Sequence, residues 1–133
     1  MPVSTEDYAR ISDFLARYCW LVDESDGDGW AALWTEDGVF AGVSPEPIVG
    51  REALRAVPLV MMKQNGTAMR HMVGNLACDY IDGTDAVLAR YYNFVTDWAQ
   101  GGRMNCMALC DVTLVRNGES WLVKRNDTTL LAG

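Results

Sequence analysis

From Ala68 to Ile81 the chain reads A-M-R-H-M-V-G-N-L-A-C-D-Y-I, and the fold turns on this stretch because the hydrophobic period changes here. Three further runs rich in strand formers follow it: Ala86–Trp98, Arg103–Val115 and Trp121–Leu130. They are divided by D-G-T-D, Q-G-G and R-N-G-E, which are hairpin turn sequences. Long consecutive strands joined by short turns make an antiparallel meander.

Upstream of Asn65-Gly66 the period is helical. Ser4 or Thr5 can cap a first helix, with Glu6 and Asp7 favouring its dipole. Tyr8, Ile11, Leu15, Tyr18 and Val22 then recur on one stripe, widened by Phe14 and Cys19, until E-S-D-G-D-G breaks the helix after Asp23. G-W-A-A-L-W reads as a short second helix, V-F-A-G-V as a strand, and S-P-E-P as a loop. A third helix begins near Gly50 in R-E-A-L-R-A-V, with Pro58 expected to bend or stop it. Helices first and sheet afterwards is an α+β arrangement, and residues 1–133 are expected to form one domain. A strongly twisted sheet can curl around the first helix and leave a pocket between them.

Composition narrows the partners. Half of the 133 residues are hydrophobic, 22% are charged, and the net charge is −7. Phosphate binding needs clustered cations, so nucleic acid is excluded as a partner. M-P-V-S-T-E-D has neither the basic nor the apolar region of a secretory signal, and no run reaches the roughly 18 apolar residues of a membrane span. A cytoplasmic location is expected. Cys19, Cys78, Cys106 and Cys110 form no C-x-x-C pair and read as buried free thiols. With a single histidine in the chain they do not make a zinc site, and no metal or cofactor is expected.

That histidine, His71, lies in the first meander strand. By alternation Met69, His71, Val73, Asn75 and Ala77 share one face, and Arg70, Met72, Gly74, Leu76 and Cys78 the other. Neither face is purely polar, so periodicity alone leaves the direction of His71 open. Asp23 ends the first helix, one turn beyond Cys19. If the two meet, the carboxylate would accept the Nδ1 proton and leave Nε2 free as a general base. Tyr18, Tyr91, Tyr92 and Asn75 are available as donors to a developing oxyanion. No nucleophile elbow, P-loop or dinucleotide fingerprint occurs. Five tryptophans, five tyrosines and seven methionines could line an apolar pocket or simply fill a core.

Several pieces together resemble the SnoaL-like group of the nuclear transport factor 2-like superfamily. They are Y-C-W-L-V-D-E-S-D-G-D-G-W-A-A-L-W-T-E-D-G-V-F, I-V-G-R-E-A-L, R-H-M-V-G-N and C-D-V-T-L-V-R-N-G-E-S-W-L-V-K-R, which span nearly the whole chain. The resemblance implies a cone-shaped barrel of three helices against a curved, mainly antiparallel sheet. It implies that Asp23 and His71 match the base dyad of dehydratase-type lyases in the group, with Tyr18 as the assisting tyrosine. Five residues span about 140° of an ideal helix, so Tyr18 and Asp23 converge only where the helix end unwinds or the phenol reaches across.

The leading expectation is therefore a cofactor-independent, dehydratase-like lyase acting on a hydrophobic cyclic small molecule. His71, Asp23 and Tyr18 would be catalytic, and Asn75, Tyr91, Tyr92, Trp98 and Arg125 would bind substrate. The rivals are an isomerase or polyketide cyclase-like enzyme, and a non-catalytic ligand-binding or assembly module. A homodimer or homotrimer is expected, because Leu88, Tyr92, Phe94 and Trp98 oppose Val87, Tyr91 and Val95 on the second meander strand. Two apolar faces need two covers.

Overall fold

In the computed structural model, which describes residues 1–132, the helical and strand halves meet as an open, curled sheet wrapped on one long helix. Helix α1 spans Thr5–Asp23; the Ser4 hydroxyl accepts the Asp7 N–H at 3.1 Å, and Glu6 and Asp7 occupy the first turn. Its end is enforced by Ser25, a non-glycine residue at a left-handed φ of 59°. Asp26 then caps α2, Gly27–Ala31, by accepting the Gly29 N–H at 2.8 Å. Strand β1 runs Trp34–Ala41 and a short β2, Ile48–Val49, pairs with it.

The third helical region is split. Helix α3 is Arg51–Arg55 and α4 is Val57–Asn65. The break falls at Ala56, two residues before Pro58, in line with the expected stop: Pro58 has no N–H to offer Leu54 O, and it lies in the first turn of α4, where a missing N–H costs nothing. Gly66, at a φ of 86°, ends α4 in a conformation that other residues rarely adopt.

The meander then follows as β3 (Met69–Tyr80), β4 (Val87–Asp97), β5 (Arg103–Asn117) and β6 (Ser120–Ala132). The spatial order is β2-β1-β6-β5-β4-β3, antiparallel except for β1 beside β6. The three helical regions pack on this six-stranded, mostly antiparallel sheet, as expected; the sheet is open, with β2 and β3 as its edges.

The core lies between α1 and the concave face. Ile11, Phe14, Leu15, Tyr18, Cys19 and Val22 of the helix are buried, as are Val87, Ala89 and Tyr91 of β4, Cys110, Val112 and Leu114 of β5, and Trp121 and Val123 of β6. Tyr18, Trp30, Trp34 and Phe40 form one aromatic cluster with ring centroids 5.2 to 6.1 Å apart. Tyr8, the first residue of the expected stripe, is 42% exposed and stands at the rim.

The edge strand β3 is irregular. Its register against β4 slips between Gly74 and Ala77, and Asn75 takes a φ of 54°. This bulge ends the simple alternation read from the sequence: Asn75 and Ala77 leave the face of His71, and Cys78 joins it by pairing with buried Ala89.

Candidate active site

Strand β3 is unpaired on its outer side along much of its length, so alternate backbone N–H and C=O groups there need other partners. Residues 1–3 supply them at one end, through Val3 N–H to Cys78 O at 3.1 Å and Tyr80 N–H to Met1 O at 3.0 Å. At the other end Asp23 does so. Its two oxygens accept the His71 backbone N–H at 3.2 and 3.1 Å, and Oδ1 also lies 2.6 Å from His71 Nδ1. Both side chains are over nine-tenths buried, 8% exposed for His71 and 6% for Asp23.

A carboxylate can only accept, so Nδ1 is the donor; in the neutral imidazole Nε2 then carries the lone pair. Nε2 makes no hydrogen bond among the described residues, and it is not one of the atoms sealed from solvent without a partner. The imidazole is therefore held in one orientation with Nε2 reachable from solvent.

The pair separates two spaces. On one side is a cavity of about 20 Å³ lined by Val22, Ser25, Met61, Met62 and Met69 among others, roughly the room one water needs. On the other side an open groove of about 670 Å³ runs between α1 and the β3 edge. Tyr8, Cys19 and Trp20 line it from the helix, Arg70, Met72 and Leu76 from the strand, and Trp98 stands at its end. Burial and the nearby Asp23 carboxylate push the Cys19 thiol up to about 12, so it is no nucleophile at neutral pH.

The other residues expected at the site divide. Asn75 and Trp98 line the groove. Tyr18 does not: its hydroxyl is buried in the aromatic cluster and accepts from Asn126 Nδ2 at 3.1 Å, and burial raises its pKa well above the usual phenol value. Helix α1 stays regular through Asp23, so the 140° separation persists and the expected convergence does not occur. Tyr91 is likewise a core residue whose pKa is raised by burial. Tyr92 pairs with Gly74 and Leu109 on the convex face. Arg125 is held by Asp127 at 2.8 Å and does not line the groove.

Two groups escaped the sequence reading. Trp20 is 62% exposed, and its signal was an indole just off the apolar stripe of α1. Asn93 pairs with Val73, one step along the face of His71, and its side-chain oxygen is buried without a partner. A buried acceptor left in that state costs about 1–3 kcal/mol, and Asn93 lines neither of the two spaces beside the pair. Among the described residues no group of three or more His, Cys, Asp or Glu could hold a metal ion, and no helix is long and apolar enough to cross a membrane.

Three helical regions packed on an open, six-stranded, mostly antiparallel sheet are the architecture of the nuclear transport factor 2-like class. The model of the SnoaL-like domain matches residues 3–127, and the chain belongs to that family. No curated protein matches the sequence significantly. Among solved structures, a protein from a Streptomyces species superposes with a TM-score of 0.88 at 22% identity, covering 98% of this chain and 94% of that one. A Catenulispora acidiphila protein in complex with S-DNPA aligns at 26% identity and a TM-score of 0.78, covering 96% and 95%. A provisionally assigned scytalone dehydratase of Novosphingobium aromaticivorans aligns at 17% identity and 0.77, covering 93% and 83%.

Proposed function

We propose that the protein is a cofactor-independent, dehydratase-like lyase in which His71 is the general base and Asp23 its orienting partner. The observation that carries this is the 2.6 Å contact between Asp23 Oδ1 and His71 Nδ1. Nε2 removes a proton from carbon beside a carbonyl, the electron pair forms the new double bond, and a hydroxyl on the adjacent carbon departs. The imidazolium then returns its proton to the leaving oxygen, which is released as water. The reading is supported by family membership and by the name of the Novosphingobium relative.

The test is loss of water from cyclic hydroxy-ketones, followed by mass. Replacing His71 by Ala should lower turnover by about 10²–10⁴-fold, the usual worth of a positioned base. Parental turnover in that variant would refute the assignment.

A second reading has its own observation. With Tyr18 in the core and the Tyr8 hydroxyl donating to Leu76 O at 3.4 Å, the proton on His71 can return to carbon and nothing need leave. An isomerase or cyclase of this kind would exchange deuterium into substrate without loss of mass. A third, the binding module, draws on the filled aromatic core, which leaves the groove as the main ligand space. It predicts neither exchange nor elimination. In all three readings the chain self-associates through the convex face of its sheet.

A further inference from the structure

The groove beside the Asp23–His71 pair has a charge pattern that limits what can occupy it. Two charged side chains line it, Asp23 and Arg70. Asp23 has committed both oxygens to His71, so Arg70 is the charge left to meet a ligand. Its Nη1 is tethered to the backbone carbonyls of Thr67 at 3.1 Å and Met69 at 2.7 Å. Nε and Nη2 make no hydrogen bond among the described residues, and no carboxylate there lies within 4.0 Å. Arg10, Arg17, Arg55, Arg90, Arg116 and Arg125 each hold an acid, whereas Arg70, like Arg51 and Arg103, holds none among the described residues, and of these three Arg70 alone lines the groove. In a chain of net charge −7, a tethered guanidinium with a free edge is poised for an outside anion.

The rest of the groove is flat and apolar. Trp20 is 62% and Trp98 59% exposed, and Met72 and Tyr8 add 48% and 42%. Exposed indoles on a groove wall are suited to stacking on aromatic rings. Trp98 is fixed beside the start of β3 by its N–H to Ala68 O at 3.0 Å, and Arg70 pairs with Thr96 two residues before it. The volume of about 670 Å³ is that of a site for a molecule of several rings.

We infer that the groove takes a planar aromatic carboxylate, with Arg70 binding the carboxylate and Trp20 and Trp98 packing on the rings. The inference deepens the reading above by naming its substrate class, and rests on that reading only for the reaction that follows binding. Arg70 is a specificity-determining residue, not a catalytic one.

Calorimetric titration of the whole protein with naphthoate and with uncharged naphthamide tests it. Naphthoate should bind about tenfold or more tighter than naphthamide, the scale of one charge-assisted contact. Arg70→Gln should erase that preference by weakening naphthoate alone, Arg70→Lys should keep part of it, and Trp98→Ala should weaken both probes. Arg70 and Trp98 are exposed, so these variants should fold, which a thermal melt checks. The titration reads affinity and no turnover, so failure of the catalytic assignment would leave its result unchanged. Equal affinity for the two probes, or an unchanged preference in Arg70→Gln, overturns the inference. So does a Trp98→Ala protein that changes its association state while its probe affinities stay the same, because the indole then covers a second copy of the chain.

Discussion

The carboxylate of Asp23 serves two donors at once, the imidazole and the backbone N–H of the same histidine. Its substitutions should therefore separate chemistry from folding. Asp23→Asn keeps an oxygen for the backbone N–H but can turn an amide N–H towards Nδ1, which moves the ring proton to Nε2 and removes the base. Turnover should fall by about 10²–10⁴-fold with little change in melting temperature. Asp23→Ala also orphans the edge N–H and should cost about 1–3 kcal/mol more in denaturant unfolding. Equal stability in the two variants would show that the backbone bond contributes nothing. Tyr18 gives the opposite contrast. Tyr18→Phe should leave turnover within a factor of about three, since the hydroxyl meets Asn126 rather than a substrate, at a stability cost of about 1 kcal/mol. A hundredfold loss, on the order of a catalytic donor's worth, would return Tyr18 to the mechanism. At this scale the sequence allowed His71 and Asp23 to be paired through a resemblance. It could not tell Tyr18 from a catalytic phenol, because helical phase places its ring but not the hydroxyl's partner.

At the scale of elements, the start of α1 is pinned to the sheet by a polar cluster that no local pattern announces. Asp7 is 7% exposed; Arg116 Nη2 lies 2.6 Å from its carboxylate, and the Tyr80 hydroxyl donates to it at 2.5 Å. The Arg116 guanidinium also lies 4.5 Å from the ring centre of Trp121. Arg116, then Tyr80, hold the Asp7 carboxyl below the usual carboxylate range. A lowered folded pKa contributes stability that is complete above the unfolded value, near 3.8, and is lost as pH falls below it through the folded value. Asp7→Asn should cost about 2 kcal/mol at neutral pH and flatten that acid limb, as read by urea unfolding at a series of pH values. An acid limb unchanged in the variant would assign it to other carboxylates. The partners are separated by 73 and 109 positions, which is why the sequence showed Asp7 only as a first-turn acid. The major helices and the meander strands were legible because each has its own period and its own breakers. The bulge at Asn75 was not, since alternation counts residues and cannot see the extra one.

At the scale of the whole molecule, the order of helices followed by meander was readable, but the parallel pairing of β1 with β6 was not. Register pairs such as Phe40 with Asn126 leave no trace near either residue. That closure sets the curl and gives the sheet a convex face that the helices never cover. Across it Met72, Phe94 and Met107 stand in one register row, and Tyr92 and Leu109 in the next. A Cβ on Gly74 would fall 2.7 Å from the Phe94 ring, so the glycine leaves that ring room to lie flat against the strand. The next rows are ionic, with Arg90 on Asp111 at 2.9 Å and Arg125 on Asp127 at 2.8 Å. An apolar stripe bordered by paired charges has the layout of a subunit interface: an apolar centre supplies the energy and a polar rim fixes the orientation. The parent should therefore sediment at a multiple of its 14.7 kDa chain mass. Phe94→Asp, which buries an unpaired charge only in the associated state, should shift it to the monomer with its far-ultraviolet spectrum intact. A parent that already sediments as a monomer would mean that the convex stripe meets only water.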